Sequence, residues 1–244
     1  LFDECSSMSN DSLEKTWRAR YDRWAELYAT DHLVSGWSER GLYRRLELFL
    51  QALEDSRFNQ GSRFLDLGSG PGVYTRSIKR SGHGCVALDY SHRVVELASK
   101  KDPSGHYVQG EAYSLPFKDG SFDGLVCIGV LQSLANVDVA LTEMCRVLAP
   151  GGCLFLDGLS RLFLIHALKA LKERMSGAVR RMSYYDPFRL TATLRNIGFD
   201  EAEIRWLVMP EALQPYGSLL RRKRALPLTR LFGYSFMISA RKIA

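Results

Sequence analysis

Residues 64–75, FLDLGSGPGVYT, decide the fold. Phe64, Leu65 and Leu67 read as the end of a buried strand. Gly68, Gly70 and Gly72 then allow a sharp turn that brings bare backbone against a ligand. A helix over 73–80 follows, and its free N–H groups and positive dipole end would face an anionic group. Strand, glycine turn and helix together point to a nucleoside-bearing cofactor. The dinucleotide fingerprint is GxGxxG, whereas the third glycine here arrives one residue early, and Val73 stands where that pattern needs glycine. This GxGxG spacing disfavours NAD.

The turn resembles the first motif of class I S-adenosylmethionine-dependent methyltransferases, in which an acidic residue, here Asp66, stands two places before the first glycine. The resemblance runs over roughly residues 60–160. CVALDYS (85–91) is similar to the second strand of that family. It ends in Asp89, about 20 residues after the glycines, where a ribose-binding carboxylate belongs. GEAYSLPFKDGSFDGLVCIGVLQSL (110–134) resembles the G-D-A-x-x-L-P-F … F-D segment of the ubiquinone and menaquinone methyltransferases. CRVLAPGGCLFLD (145–157) resembles their R-V-L-K-P-G-G turn and fifth strand.

That resemblance implies S-adenosyl-L-methionine as cofactor, S-adenosyl-L-homocysteine as product, and a set of contacts. Backbone N–H groups of the loop at Gly68, Ser69, Gly70 and Gly72 suit the carboxylate, and Asp66 supports the ammonium directly or through water. Asp89 accepts from both ribose hydroxyls, since both oxygens of a carboxylate are acceptors. Tyr90 follows it in the cofactor site. Glu111, where the family more often has Asp, addresses the adenine with the Ala112 backbone. Gly129 lets carbonyls approach the sulfonium, and Gln132 occupies a place where relatives frequently have His or Glu. Tyr21 resembles an aromatic that relatives fold over the cofactor, with simple core packing as the alternative.

The 244 residues fit one α/β domain with a helical cap, and 46% apolar residues is ordinary for a sizeable core. No apolar run reaches the ~18 residues a transmembrane helix needs, and no signal peptide is read at the start, so the expected location is cytoplasmic. The chain starts at Leu1, which suggests a processed fragment, with Met8 as an internal start. Cysteines 5, 85, 127, 145 and 153 show no metal-ligand spacing, and no metal site is expected. Charge is uneven. Residues 161–244 hold 16 Lys/Arg against 6 Asp/Glu, and residues 1–160 hold 17 against 21. Arg221, Arg222, Lys223 and Arg224 form the densest cluster, which is either a solvated surface or a contact for an acidic substrate, a membrane or nucleic acid.

The alternation of strands and helices predicts a doubly wound, seven-stranded, mainly parallel sheet with a small helical cap. Residues 1–12 read as a disordered segment and 13–55 as N-terminal cap helices. Residues 56–158 form the cofactor-binding core, 159–190 a helical insertion or lid, and 191–244 complete the sheet, with the last strand antiparallel by resemblance. Within the insertion, SRLFLIHALKALKERM is an amphipathic basic helix carrying Leu164, Leu168, Leu171 and Met175 on one face. It either packs on the domain or, as in relatives, covers the acceptor pocket.

Methyl transfer to an activated carbon needs proximity and alignment more than a dedicated base. The candidates for a base are His32, His166, Tyr184, Tyr185 and Asp186, none with a motif behind it. The expected activity is methylation of a small-molecule acceptor, with oxygen ahead of nitrogen or carbon. An RNA methyltransferase and a non-catalytic cofactor-binding partner protein are the alternatives. Nucleic acid is disfavoured because no RNA-binding module is appended and no N-P-P-Y motif occurs. Peripheral membrane contact is allowed, and the chain is expected to be a monomer or homodimer.

Overall fold

A computed structural model describes residues 10–176, 182–208 and 233–243. Its centre is a seven-stranded sheet in the order β3-β2-β1-β4-β5-β7-β6. The strands are β1 (Arg63–Leu67), β2 (Gly84–Asp89), β3 (His106–Gln109), β4 (Phe122–Cys127), β5 (Leu148–Leu159), β6 (Phe199–Val208) and β7 (Gly233–Lys242). The first five pair in parallel, and β7 runs antiparallel to both β5 and β6. The chain order reverses at β1, between β2 and β4, which opens a crevice at the carboxyl ends of these strands.

Alternation along each strand explains why both faces are covered. Leu65, Leu125, Cys127, Leu154 and Leu156 form one core with α6 (Val137–Val147) and α8 (Pro187–Asn196). Phe64, Val126 and Phe155 point the other way, toward α3 (Glu39–Asp55) and α4 (Val73–Arg80). On that side Phe49 meets Tyr74 and Phe155 edge-to-face at 5.6 and 5.4 Å. Helix α5 (His92–Lys101) follows β2, and Ser91 caps it by accepting from the Val94 N–H.

Three elements differ from the sequence reading. Helix α1 (Asn10–Leu27) starts inside the segment read as disordered, and Asn, Asp and Ser at positions 10–12 are residue types that favour helix starts. A short helix α2 (Asp31–Val34), which the sequence reading did not separate within the cap, intervenes before α3. The insertion helix α7 (Leu164–Ser176) does not bury its apolar face on the domain: Leu168, Leu171 and Met175 are 57, 53 and 80% exposed. The cluster Arg221–Arg224 lies outside the described residues. Among those residues, no helix is long and apolar enough to cross a membrane.

Among the described residues, Arg45 and Asp157 form a fully buried ion pair, each 1% exposed. Arg45 Nε donates to Asp157 Oδ2 at 3.0 Å, and Nη1 donates to the Gly41 carbonyl at 3.1 Å. The guanidinium carbon sits 3.8 Å from the centroid of the Trp37 ring. Burial pushes the Asp157 carboxyl up, while Arg45 and the Gly129 N–H oppose the shift. Removing one partner leaves the other charge uncompensated. Arg45→Met is therefore expected to cost about 3–5 kcal/mol at neutral pH. The cost shrinks at acidic pH, because the orphaned carboxyl, already pushed up by burial, takes up a proton. Urea melts at neutral and acidic pH check this, and a pH-independent loss would contradict it.

Candidate active site

Beyond β1 the chain turns at Gly68, whose φ is +70°, and a Cβ there would lie 2.2 Å from Val130 Cγ2. No larger residue fits that turn. The Gly68 and Ser69 N–H groups both donate to the Leu88 carbonyl, at 2.7 and 3.1 Å, which sews the loop to the end of β2. Gly70 N–H then donates to Asp89 Oδ2 at 3.0 Å, and Ser91 N–H donates to Oδ1 at 3.0 Å. The N–H of Gly72 goes to the Ser69 carbonyl. The four N–H groups expected to meet an anion thus have partners inside the protein. What the loop offers a ligand is close approach and the positive end of α4.

The carboxylates have different settings. Asp89 accepts one N–H on each oxygen and keeps further lone pairs for a diol. Burial pushes its carboxyl up to about 6, against the N–H bonds from Ser91 and Gly70 that lower it. Asp66 accepts from Thr75 Oγ1 at 2.6 Å, and burial raises its carboxyl to about 7, against the Thr75 bonds. It is buried beneath the loop and does not line the cleft.

Two connected hollows form one groove over the strand ends. The first, about 580 Å³ and open to solvent, is lined by Tyr21, Ser69, Gly70, Asp89 and Gly129, together with Trp37, Tyr74 and Ser35. The second, about 470 Å³, is lined by Glu111, Ala112 and Tyr113 with Glu14 and Arg18. Gly68, Tyr90, Val130 and Ser133 line both. Among the described residues, Ser69 Oγ, Tyr74 Oη and Tyr90 Oη of the groove lining and Arg45 Nη2 behind Trp37 are buried without a partner, as is His83 Nδ1 away from the groove. Orphaned groups of this kind cost free energy unless a ligand pairs with them.

The N-terminal helices roof the groove. Ser91 Oγ donates to Asp22 at 2.5 Å, Arg18 to Glu111 at 2.8 Å, and Tyr113 Oη to Glu14. Asp31 of α2 takes Arg76 and Lys101 at 2.6 and 2.5 Å. Tyr21 meets Tyr90 edge-on at 6.3 Å, and burial beside Asp89 pushes its phenol up. Opposite, Gly129 N–H donates to Asp157 Oδ1 at 2.7 Å, and its carbonyl accepts from Gln132 Nε2 at 2.6 Å.

Nine of the twelve residues expected at the cofactor therefore line the groove, whereas Asp66, Gly72 and Gln132 do not. Gln132 is buried, with its amide spent on the Gly129 carbonyl. None of the five base candidates reaches the lining. Asp186 caps α8, Tyr185 Oη donates to the Leu131 carbonyl, and His166 Nδ1 pairs with the Ser160 carbonyl at 2.9 Å beside the Tyr184 ring. His32 lies in α2. Sequence reasoning missed Trp37, Tyr74 and Arg18. Tyr74 carried a signal, being two residues past the last loop glycine.

Residues 65–156 match the family described as "Methyltransferase domain". A demethylmenaquinone methyltransferase of Mycobacterium bovis is 36% identical over 132 residues, covering 52% of this chain and 53% of that protein. The chain thus spans about half the length of the first curated relatives it matches. A putative methyltransferase solved with the Haloferax volcanii Trm112 activator superposes with a TM-score of 0.66 at 19% identity, over 92% of this chain and 98% of that one. Haemonchus contortus phosphoethanolamine N-methyltransferase 2, solved with S-adenosyl-L-methionine, gives 0.67 at 16%, over 98% of this chain and 61% of that one. The fold is that of class I methyltransferases, and the cofactor implied by this domain is S-adenosyl-L-methionine. The groove fits it: a nucleoside with a charged amino-acid tail needs a diol acceptor, an apolar slot and extra donors.

If Asp89 takes the ribose, binding requires the ionised carboxyl. Affinity for S-adenosylhomocysteine is then expected to hold above pH ~6 and to fall about tenfold per unit below it, as a proton must be displaced. Asp89→Asn should bind more weakly at pH 7.5 and lose that slope. Calorimetry from pH 5 to 8 checks both, and an unchanged slope in the variant would remove the assignment.

Proposed function

We propose that this chain, which carries a methyltransferase domain, transfers the methyl group of S-adenosylmethionine to a small-molecule acceptor, with oxygen ahead of nitrogen or carbon. The observation that carries the reading is that Asp89 and three residues with orphaned hydroxyls, Ser69, Tyr74 and Tyr90, line one groove beside the glycine loop. Asp89 holds the ribose diol, and the Ala112 backbone with Glu111 holds the adenine. Ser69 and Tyr74 hydroxyls take the amino-acid end at the positive terminus of α4. Asp66 acts from beneath the loop, where its bond to Thr75 fixes the start of that helix. Domain limits follow: a cap over 13–55 extended to Asn10, the cofactor core over 56–158, an insertion over 159–190, and sheet completion over 191–244.

S-adenosylmethionine supplies a methyl carbon already activated by a positively charged sulfur. The protein's task is alignment and exclusion of water. Trp37 and Tyr21 wall the groove, while Gly129, at a φ of +81° that favours glycine, carries no side chain and lets its backbone be approached. Burial keeps the Tyr21 and Tyr74 phenols protonated, so they donate hydrogen bonds rather than remove protons. With no histidine among the described residues that line the groove, the acceptor best suited is one whose own acidity exposes the nucleophile near neutral pH.

The Gly70 Cβ position faces open space, 3.8 Å from Ser35 Oγ across the groove. With φ at +53°, Gly70→Val also strains the loop by about 1–2 kcal/mol, so circular dichroism checks the fold, and the folded variant is expected to lose methyl transfer. A methyl-labelled donor with a panel of small hydroxylated acceptors and bulk RNA reads this out. Transfer to a small acceptor by the parent chain and not by the variant supports the reading. Full activity of the variant, or transfer to RNA alone, would overturn it, and cofactor binding without any transfer would favour a non-catalytic partner protein.

A further inference from the structure

Helix α7 is attached to the described structure through its first turn, where His166 pairs with the Ser160 carbonyl and stacks near Tyr184. The rest of it stands off the other described residues. Leu164, Leu168, Leu171 and Met175 recur at four- and three-residue steps, so they align on one face. They are 56, 57, 53 and 80% exposed, and Ile165 beside them is 62% exposed. Soluble surfaces rarely present an apolar stripe of this kind without something to cover it. Lys169 and Lys172, both exposed, lie along its border, one helical step apart.

Charge decides among the possible covers. A second copy would bring one basic α7 against another. The stretch 209–232 of this chain carries five Lys/Arg and one acidic residue, so it does not complement a basic helix either. An apolar stripe bordered by lysines matches a surface that is greasy within and anionic at its edge. We propose that α7 docks the protein onto an anionic lipid bilayer surface, with its leucines and Met175 in the acyl boundary and its lysines among the headgroups. This goes beyond the methyl-transfer reading and stands without it. The docked helix would bring the Gln132–Ser133 side of the groove close to the bilayer, because Ser183, in the same insertion as α7, donates its N–H to the Gln132 carbonyl at 3.0 Å.

The test is co-sedimentation of the full chain with vesicles of phosphatidylcholine alone and of phosphatidylcholine mixed with phosphatidylglycerol. Binding to the anionic vesicles is expected to exceed binding to the neutral ones by about tenfold or more, and to fall with added salt. Leu168→Glu with Leu171→Glu changes positions that are already exposed, so the fold persists, as circular dichroism would check. That variant is expected to lose about a hundredfold in vesicle affinity. Lys169→Glu with Lys172→Glu should lose at least tenfold on anionic vesicles alone. No binding by the parent chain, or equal binding by parent and both variants, would overturn the proposal. So would a dimer in sedimentation equilibrium that the leucine variant dissociates, since a second copy would then cover the helix.

Discussion

The Asp89 carboxylate is the hinge pin of this molecule. One oxygen holds the Gly70 N–H of the glycine loop and the other holds the Ser91 N–H at the start of α5, so a single side chain fixes two turns at the crevice of the sheet. Through Ser91, whose hydroxyl also reaches Asp22, the same point anchors the N-terminal cap. A carboxylate buried to this degree is costly unless its oxygens are paired. The raised value near 6 indicates that the pairing offsets only part of the cost. A ligand that brings two hydroxyl donors would complete it, and this buried carboxylate would then be the binding determinant.

Across the groove, the Arg45–Asp157 pair plays the matching part for the other wall. Asp157 holds Gly129 by its N–H while Gln132 holds the same residue by its carbonyl, so the peptide opposite the glycine loop is fixed at both ends. Arg45 stacks on Trp37, which lines the groove. The roof is held differently. The Arg18–Glu111 pair is largely solvent-exposed, with side chains 41 and 62% accessible, and exposed pairs of this kind contribute little. The roof thus combines this exposed latch with part-buried ones, Ser91 to Asp22 and Asp31 to Arg76 and Lys101, over walls fixed by buried hydrogen bonds.

Much of the core was legible because its signals are local. The apolar run into Gly68-x-Gly70-x-Gly72 and the spacing to Asp89 lie within some twenty residues, and the structure brings Gly70 and Asp89 into contact. The alternating strands followed from the same periodicity. What was not legible depends on partners far apart in sequence. Ser91 and Asp22 are separated by 69 residues, Arg18 and Glu111 by 93, Arg45 and Asp157 by 112. Only the completed sheet brings them together. Asp66 illustrates the opposite failure: its place in the motif was clear, but its side chain turns under the loop to Thr75, as the sequence pattern could not reveal. For α7, periodicity gave the apolar face but not whether the domain or something else would cover it.

The central claim is that the groove is built for an adenosylated amino acid rather than for a dinucleotide. Calorimetric titration of the intact chain with S-adenosylhomocysteine, with NAD as the paired control, tests it most directly. Saturable binding of one S-adenosylhomocysteine per chain, with no heat from NAD, is the predicted result. Binding of NAD alone, or of neither ligand, would contradict the account.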